Sequence, residues 1–150
     1  MSSFVVFSSD QRRFALPMAE VVEVTRAVHV QMFPHNTPGL EGVVVHRGAV
    51  LPVWDLERTL FGAAVASRKY SLVTRHNFAR EELTAIPVSS EGQMLRSEML
   101  PPPEEAPAYV SGILLLEGRQ VEVLDLEQFR TPGAPAASRV DNAGTEKGSG

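Results

Sequence analysis

Short apolar runs alternate with polar, glycine- and proline-rich breaks along the chain, and no apolar run keeps a helical period for more than a turn or two. Phe4 to Phe7 reads as a strand, Ser8-Ser9-Asp10-Gln11 as a polar turn, and Arg12 to Leu16 as the return strand with Phe14 and Leu16 on one face. Met18, Val21 and Val22 follow Pro17 at i, i+3 and i+4. That spacing predicts a short helix passing into an extended segment, because valines resist a long one. Ala27 to Phe33 alternates like a half-buried strand, and Pro34 to Gly39 is a loop of turn residues. Val43 to Val45 and Ala49 to Trp54 predict a hairpin turned at Arg47-Gly48. Pro52 has no N–H, which places the return strand at a sheet edge or Pro52 at a bulge. Asp55 is a good N-cap for a short helix, Leu56 to Phe61, stopped by Gly62.

Gly62 to Ser67 is a connector of small residues. Lys69 to Thr74 and Glu81 to Val88 read as strands around a polar turn, Arg75 to Arg80, and Ser89 to Gly92 as a further turn. Ser97 to Pro107 is an acidic loop stiffened by Pro101-Pro102-Pro103, a spacer or a polyproline ligand. Gly112 restarts the pattern. Ile113 to Leu116 and Gln120 to Leu124 are strands around Glu117-Gly118-Arg119, and Asp125 caps a terminal helix reaching Phe129. The stretch Gly112 to Phe129 echoes Gly42 to Phe61, which predicts an internal duplication into two similar small β-barrels. Thr131 to Gly150 is poor in large apolar residues and is expected to be a disordered tail.

Composition narrows the possibilities. The 150 residues suit one domain, or two very small subdomains sharing a core, and 43% of them are hydrophobic. A net charge of −4 argues against the nucleic-acid backbone as partner. The chain has no cysteine, hence no disulfide, thiolate ligand or thiol nucleophile. Neither a signal peptide nor a run long enough to cross a bilayer is present, so a soluble, cytoplasmic protein without direct membrane insertion is expected. Nothing argues for an enzyme. His29, His35, His46 and His76 lack the spacing of a metal site. Asp55 and Asp125 each open a short helix, where a carboxylate satisfies backbone N–H groups, so they read as caps. The serine pairs have no base motif beside them, and no phosphate-binding loop occurs. No catalytic residue, metal or cofactor is assigned.

The block Gly42, Arg47, Gly48, Val50, Leu51, Pro52, Val53, Trp54, Asp55 and Leu56 resembles the central motif of the CheW-like domain, the adaptor fold of bacterial chemotaxis arrays. Flanking matches strengthen the resemblance: the hydrophobic-Pro step Leu16-Pro17, the step Val21-Val22-Glu23-Val24, Tyr109 to Gly112, and the closing Val123-Leu124-Asp125-Leu126. Two departures stand out. The pair before Arg47 is commonly Asn-Leu in the family and is Val45-His46 here, and Leu83 to Leu95 lacks the family's Gly and Val-Asp positions.

The resemblance implies a mainly β fold of two SH3-like five-stranded barrels sharing a core, with short helices. It covers residues 1–130, with one subdomain about Ser3 to Gly62, a second about Arg68 to Phe129, and end strands open to exchange. By resemblance the chain couples chemoreceptor cytoplasmic tips to the regulatory domain of a CheA-type histidine kinase, in receptor arrays. Val21, Glu23, Val24, Gly42 and Arg47 are the implied receptor contacts. Gly48, Pro52, Asp55, Gly112 and Asp125 are turn or cap positions. Two other readings stay open: a CheW-like protein that binds receptors but has lost the kinase, given the divergent Ala85 to Leu95, and a small β-barrel binding a ligand or nucleic acid. An acidic chain with 7% aromatic residues disfavours the last.

Overall fold

The computed structural model describes residues 1–9, 12–27, 29–34, 39–61, 68–75 and 83–129. Ten strands dominate: β1 (Ser2–Ser9), β2 (Arg12–Pro17), β3 (Val21–Arg26), β4 (Leu40–His46), β5 (Ala49–Trp54), β6 (Tyr70–Thr74), β7 (Thr84–Val88), β8 (Gln93–Ser97), β9 (Val110–Leu116) and β10 (Arg119–Leu124). Among the described residues one α-helix, α1 (Leu56–Phe61), follows β5. Single 3₁₀ turns cover Met18–Glu20 and Leu126–Phe129.

The strands form two five-stranded sheets, in the orders β8-β1-β2-β10-β9 and β3-β6-β7-β5-β4. The two orders are copies of one pattern. In each sheet a parallel pair lies beside antiparallel neighbours: Val53 of β5 faces Ala85 of β7, and Val123 of β10 faces Ala15 of β2. Gly42, Gly48, Asp55 and Leu56 recur as Gly112, Gly118, Asp125 and Leu126, each seventy positions on. The duplication is therefore swapped. Strands β1–β5 and β6–β10 are the two repeats, and each repeat lends its first two strands to the other's sheet. The sheets divide the chain into 21–88 against its two ends, not at a cut near 62–68.

Three apolar clusters explain why both faces of the central strands are buried. Phe4, Val6, Ala15, Leu114, Val121 and Val123 fill the inside of the first sheet. Val44, Leu51, Val53, Val73 and Ala85 fill the inside of the second. Phe7, Phe14, Leu16 and Leu124 from one sheet meet Leu72, Ile86 and Val88 from the other, with Leu56 and Leu126, in the core between them. Alternation sends Phe14 and Leu16 to the shared core and Ala15 to the inner one. The junction is also hydrogen-bonded: Ser89 N donates to Ser8 O at 2.8 Å, and Ser8 N to Ser90 Oγ at 2.8 Å.

Several expectations change. The strand β5 lies between β4 and β7 and is not an edge. Pro52 is tolerated because β7 pairs with β5 only at Val53, and the register irregularity falls between Leu40 and Gly42 on β4. Pro87 lies inside the sheet by the same logic, two residues past Ala85. Among the described residues 29–34, where the expected strand would run to Phe33, there is no strand. This segment makes one antiparallel bridge, Gln31 to Val43, and leaves Met32 and Phe33 exposed. Val21 and Val22 belong to β3 rather than to a helix, which β-branching favours. The terminal helix is a 3₁₀ turn, with Gln128 N donating to Asp125 O. Strand β8 has no counterpart in the expectations. The turns around 10–11 and 76–82, the connector 62–67 and the tail 131–150 lie outside the described residues.

Candidate functional site

The second sheet curls until its edge strands β3 and β4 approach each other, and side chains close the gap. Glu23 stands near the middle of β3, opposite Val73 of β6 and just past a register irregularity. Strand β4 ends at His46, and Arg47-Gly48 turns the chain into β5. Both turn residues have positive φ, 51° and 82°, the geometry of a two-residue hairpin whose twist matches its strands. Glycine takes this conformation freely; arginine does so at a cost of about 1 kcal/mol.

From that turn Arg47 reaches Glu23 side-on. Its Nε donates to Oε2 at 2.8 Å and its Nη2 to Oε1 at 3.0 Å, a two-point pairing that fixes both planes. His46 Nε2 lies 2.8 Å from the same Oε2. The Arg47 side chain is 74% exposed, that of Glu23 24%, and that of His46 14%. The Arg47 hydrogen bonds, with a smaller contribution from His46, hold the Glu23 carboxyl down at about 2. Beside the turn the cross-strand pair Val45 and Val50 is exposed. The clasp thus joins an ion pair to an apolar patch on one hairpin tip.

The other implied contacts sit differently. Val21 and Val24 pack partly buried against the shared core. Gly42 makes room for the backbone of the preceding segment: a Cβ there would collide with the Gln31 carbonyl, where Gln31 N donates to Val43 O and Val43 N to Gln31 O. Gly112 is approached in the same way by Met99 and Leu100. Glu23 and Arg47 are therefore brought together, Gly42 lies further along β4, and Val21 and Val24 belong to the junction of the sheets. His46 and the Val45–Val50 pair were missed by the sequence. The hairpin register, once known, exposes the valines.

Asp55 is buried. Its Oδ1 accepts Arg58 N at 3.0 Å, and its Oδ2 accepts Arg68 Nη2 at 2.7 Å. Arg68 also pairs with Glu41. Asp125 Oδ1 accepts Glu127 N at 3.1 Å. Asp55 and Asp125 thus cap the helical turns that follow β5 and β10, and Asp55 also ties in Arg68. Among the described residues no group of three or more His, Cys, Asp and Glu could hold a metal ion. No helix among them is long and apolar enough to cross a membrane.

Comparison with known proteins agrees with this architecture. The pattern described as a CheW-like domain matches residues 3–131. The chain belongs to the CheW-like family. Protein FrzA of Myxococcus xanthus is 30% identical over 131 residues, covering 84% of this chain and 81% of FrzA. The crystal structure of the scaffolding protein TtCheW from Thermoanaerobacter tengcongensis superposes with a TM-score of 0.74 at 22% identity, over 86% of each chain. CheW-like proteins are non-enzymatic scaffolds and adaptors. The mainly β fold of two five-stranded sheets is the fold of the TtCheW structure.

Proposed function

We propose that this chain is the coupling adaptor of a chemotaxis-type pathway, joining the cytoplasmic tips of methyl-accepting chemoreceptors to the regulatory domain of a CheA-type histidine kinase. It works in the cytoplasm, within receptor arrays. The observation that carries the reading is the clasp. Glu23 and Arg47, both receptor contacts by resemblance, lie 24 positions apart in sequence and meet in a two-point ion pair. They do so at the rim of a rigid sheet, beside the exposed Val45 and Val50. An amphipathic receptor helix can set apolar residues on such a patch and a polar face on the charges. Val21 and Val24, at the sheet junction, extend the surface, and Gly42 keeps β4 in position.

A second reading has this protein bind receptors without the kinase. It is favoured by the divergent stretch 85–95, which builds most of β7 and the start of β8 and leaves Met94 exposed. Titration calorimetry against a receptor-tip fragment and against the kinase regulatory domain, separately, tests both. Binding to each is expected of a coupling adaptor. Binding to the receptor alone selects the second reading, and binding to neither overturns both.

A further inference from the structure

The two sheets follow one plan but are not filled alike. The parallel pairs Val53–Ala85 and Val123–Ala15 put the repeats in register. Two residues past each alanine stands a proline, Pro87 or Pro17. Ser71 of β6 lies opposite Pro87, where Phe4 of β1 lies opposite Pro17. On the next strand Thr25 faces Ser71, where Leu95 faces Phe4. Val44 corresponds to Leu114, seventy positions on. A Cβ on Gly42 would meet Val30, and one on the corresponding Gly112 would meet Met99.

At all four places the second sheet carries the smaller side chain. One aromatic ring is missing, and three aliphatic side chains are shortened. In the first sheet Phe4 and Leu114 are buried and Leu95 packs against them. In the second sheet Val30, Val44, Val53, Ser71 and Pro87 line a cavity of about 260 Å³, with the exposed His29 at its rim. Native interiors leave few spaces larger than a water molecule. A space of this size, closed by side chains in the other sheet, has room for a guest.

The lining sets the guest's chemistry. The valines and Pro87 supply an apolar wall, and the half-buried Ser71 hydroxyl can donate and accept one hydrogen bond to it. Arg68 also lines the cavity, but its Nη1 already donates to Glu41 and its Nη2 to Asp55. The guanidinium is therefore no ready anchor for an anion, and a carboxylate would exchange water for valine and proline. An apolar cavity of about 150 Å³ takes benzene, and sites for drug-sized ligands begin at about 300 Å³. The space here suits one ring with a short polar arm.

We propose that the mouth of the second sheet's barrel binds a small uncharged aromatic molecule, whose ring takes the place that Phe4 fills in the first and whose polar arm meets Ser71. Neither Glu23 nor Arg47 lines this cavity, so the proposal does not rest on the receptor reading.

Benzyl alcohol is the probe, and benzoate its charged counterpart. Titrated into the full chain, benzyl alcohol is expected to shift the valine methyl signals of Val44 and Val53 saturably in NMR, and benzoate is not. Ser71→Phe supplies the first sheet's ring and should abolish the shifts. Val30→Met supplies its methionine from a separate segment and should weaken binding at least about tenfold. Circular dichroism should stay native in both, and Val30→Met decides if Ser71→Phe does not fold. Absence of saturable shifts with benzyl alcohol overturns the proposal. Undiminished binding in either natively folded variant overturns it too, because the probe then sits elsewhere. Equal binding of benzoate overturns the assignment to an uncharged guest. If a receptor-tip fragment shifts the same methyls and benzyl alcohol does not, the cavity is a socket for a partner's side chain and the proposal falls.

Discussion

Arg47 and Glu117 hold corresponding positions in the two repeats, each the first residue of a two-residue turn at positive φ, 51° and 55°. Their partners differ. Arg47 reaches across to Glu23 on the facing edge strand, whereas Glu117 lies 3.6 Å from Arg13 of β2. The residue corresponding to Glu23 in the other repeat is Gln93, and that corresponding to His46 is Leu116. A shared turn geometry thus serves both hairpins, so its strain is a property of the fold. The charged clasp belongs to one sheet alone. Duplication supplied two equivalent rims, and substitution made one of them distinctive.

Removing Arg47 shifts the titration of Glu23. Its carboxyl, at about 2 in the folded chain against an ordinary 4.5, returns toward the ordinary value in Arg47→Met, read by NMR. The sign for stability follows. A lowered carboxyl favours the folded state above its unfolded value, and that contribution is lost as pH falls through the folded value. Any difference in unfolding midpoint between wild type and Arg47→Met therefore narrows as pH drops from about 4.5 to about 2, and thermal unfolding over that range checks it.

Gly42, a receptor contact by resemblance, and Gly48, a turn position, differ in what a methyl group would meet. At Gly42 a Cβ strikes the Gln31 carbonyl, which is locked by two hydrogen bonds to Val43. At Gly48 nothing lies within 4 Å, and only the φ of 82° opposes a side chain. Gly42→Ala is expected to cost about 2–3 kcal/mol, since backbone must move. Gly48→Ala should cost about 1 kcal/mol. Urea denaturation of the two variants gives the order, and equal costs would show that the Gln31 segment yields easily.

The pairing of Arg68 with Asp55 and Glu41 is a stability element away from the clasp. Asp55 is 1% exposed, so Arg68→Met leaves a buried carboxylate without that partner. The expected loss is roughly 3 kcal/mol. Asp55→Asn keeps an acceptor for Arg58 N and should lose less. Denaturant midpoints for both variants test this, and receptor affinity at saturating fold should stay unchanged in each.

How much of this was legible depended on sequence distance. The hairpin Gly42 to Trp54 and its echo at Gly112 could be read because turn residues and β-branched runs are local signals. Strand β8 could not. Gln93-Met94-Leu95-Arg96-Ser97 has no β-branched residue, and it is a strand only because β1 offers it an edge. The place of Pro52 was misjudged for a related reason: whether a proline lies at an edge depends on β7, some thirty residues later, and on how few residues that strand pairs. The exchange of strands between repeats is likewise a matter of long-range pairing. At the site, the family pattern singled out Glu23 and Arg47 separately. That they touch, and that His46 joins them, depends on the curl of the sheet, which no local pattern encodes.

Exchanging the charges of the clasp separates its structural role from recognition. Glu23→Arg alone and Arg47→Glu alone each place like charges within contact distance at the rim, so each should lower the unfolding midpoint relative to the double variant Glu23→Arg/Arg47→Glu, in which an ion pair can re-form. Far-ultraviolet circular dichroism should stay native in all three, because the three apolar clusters lie elsewhere. Receptor affinity should behave differently. If the partner reads Arg47 itself, the double variant regains stability but stays at least about tenfold weaker in calorimetry, as loss of a central arginine contact generally is. If the double variant recovers affinity along with stability, the clasp matters to the partner only by closing the sheet, and Arg47 leaves the list of contacts. Val21→Glu, at the sheet junction, is the companion test: weakened binding with a native fold keeps that junction in the receptor surface, and unchanged affinity confines the surface to the hairpin tip.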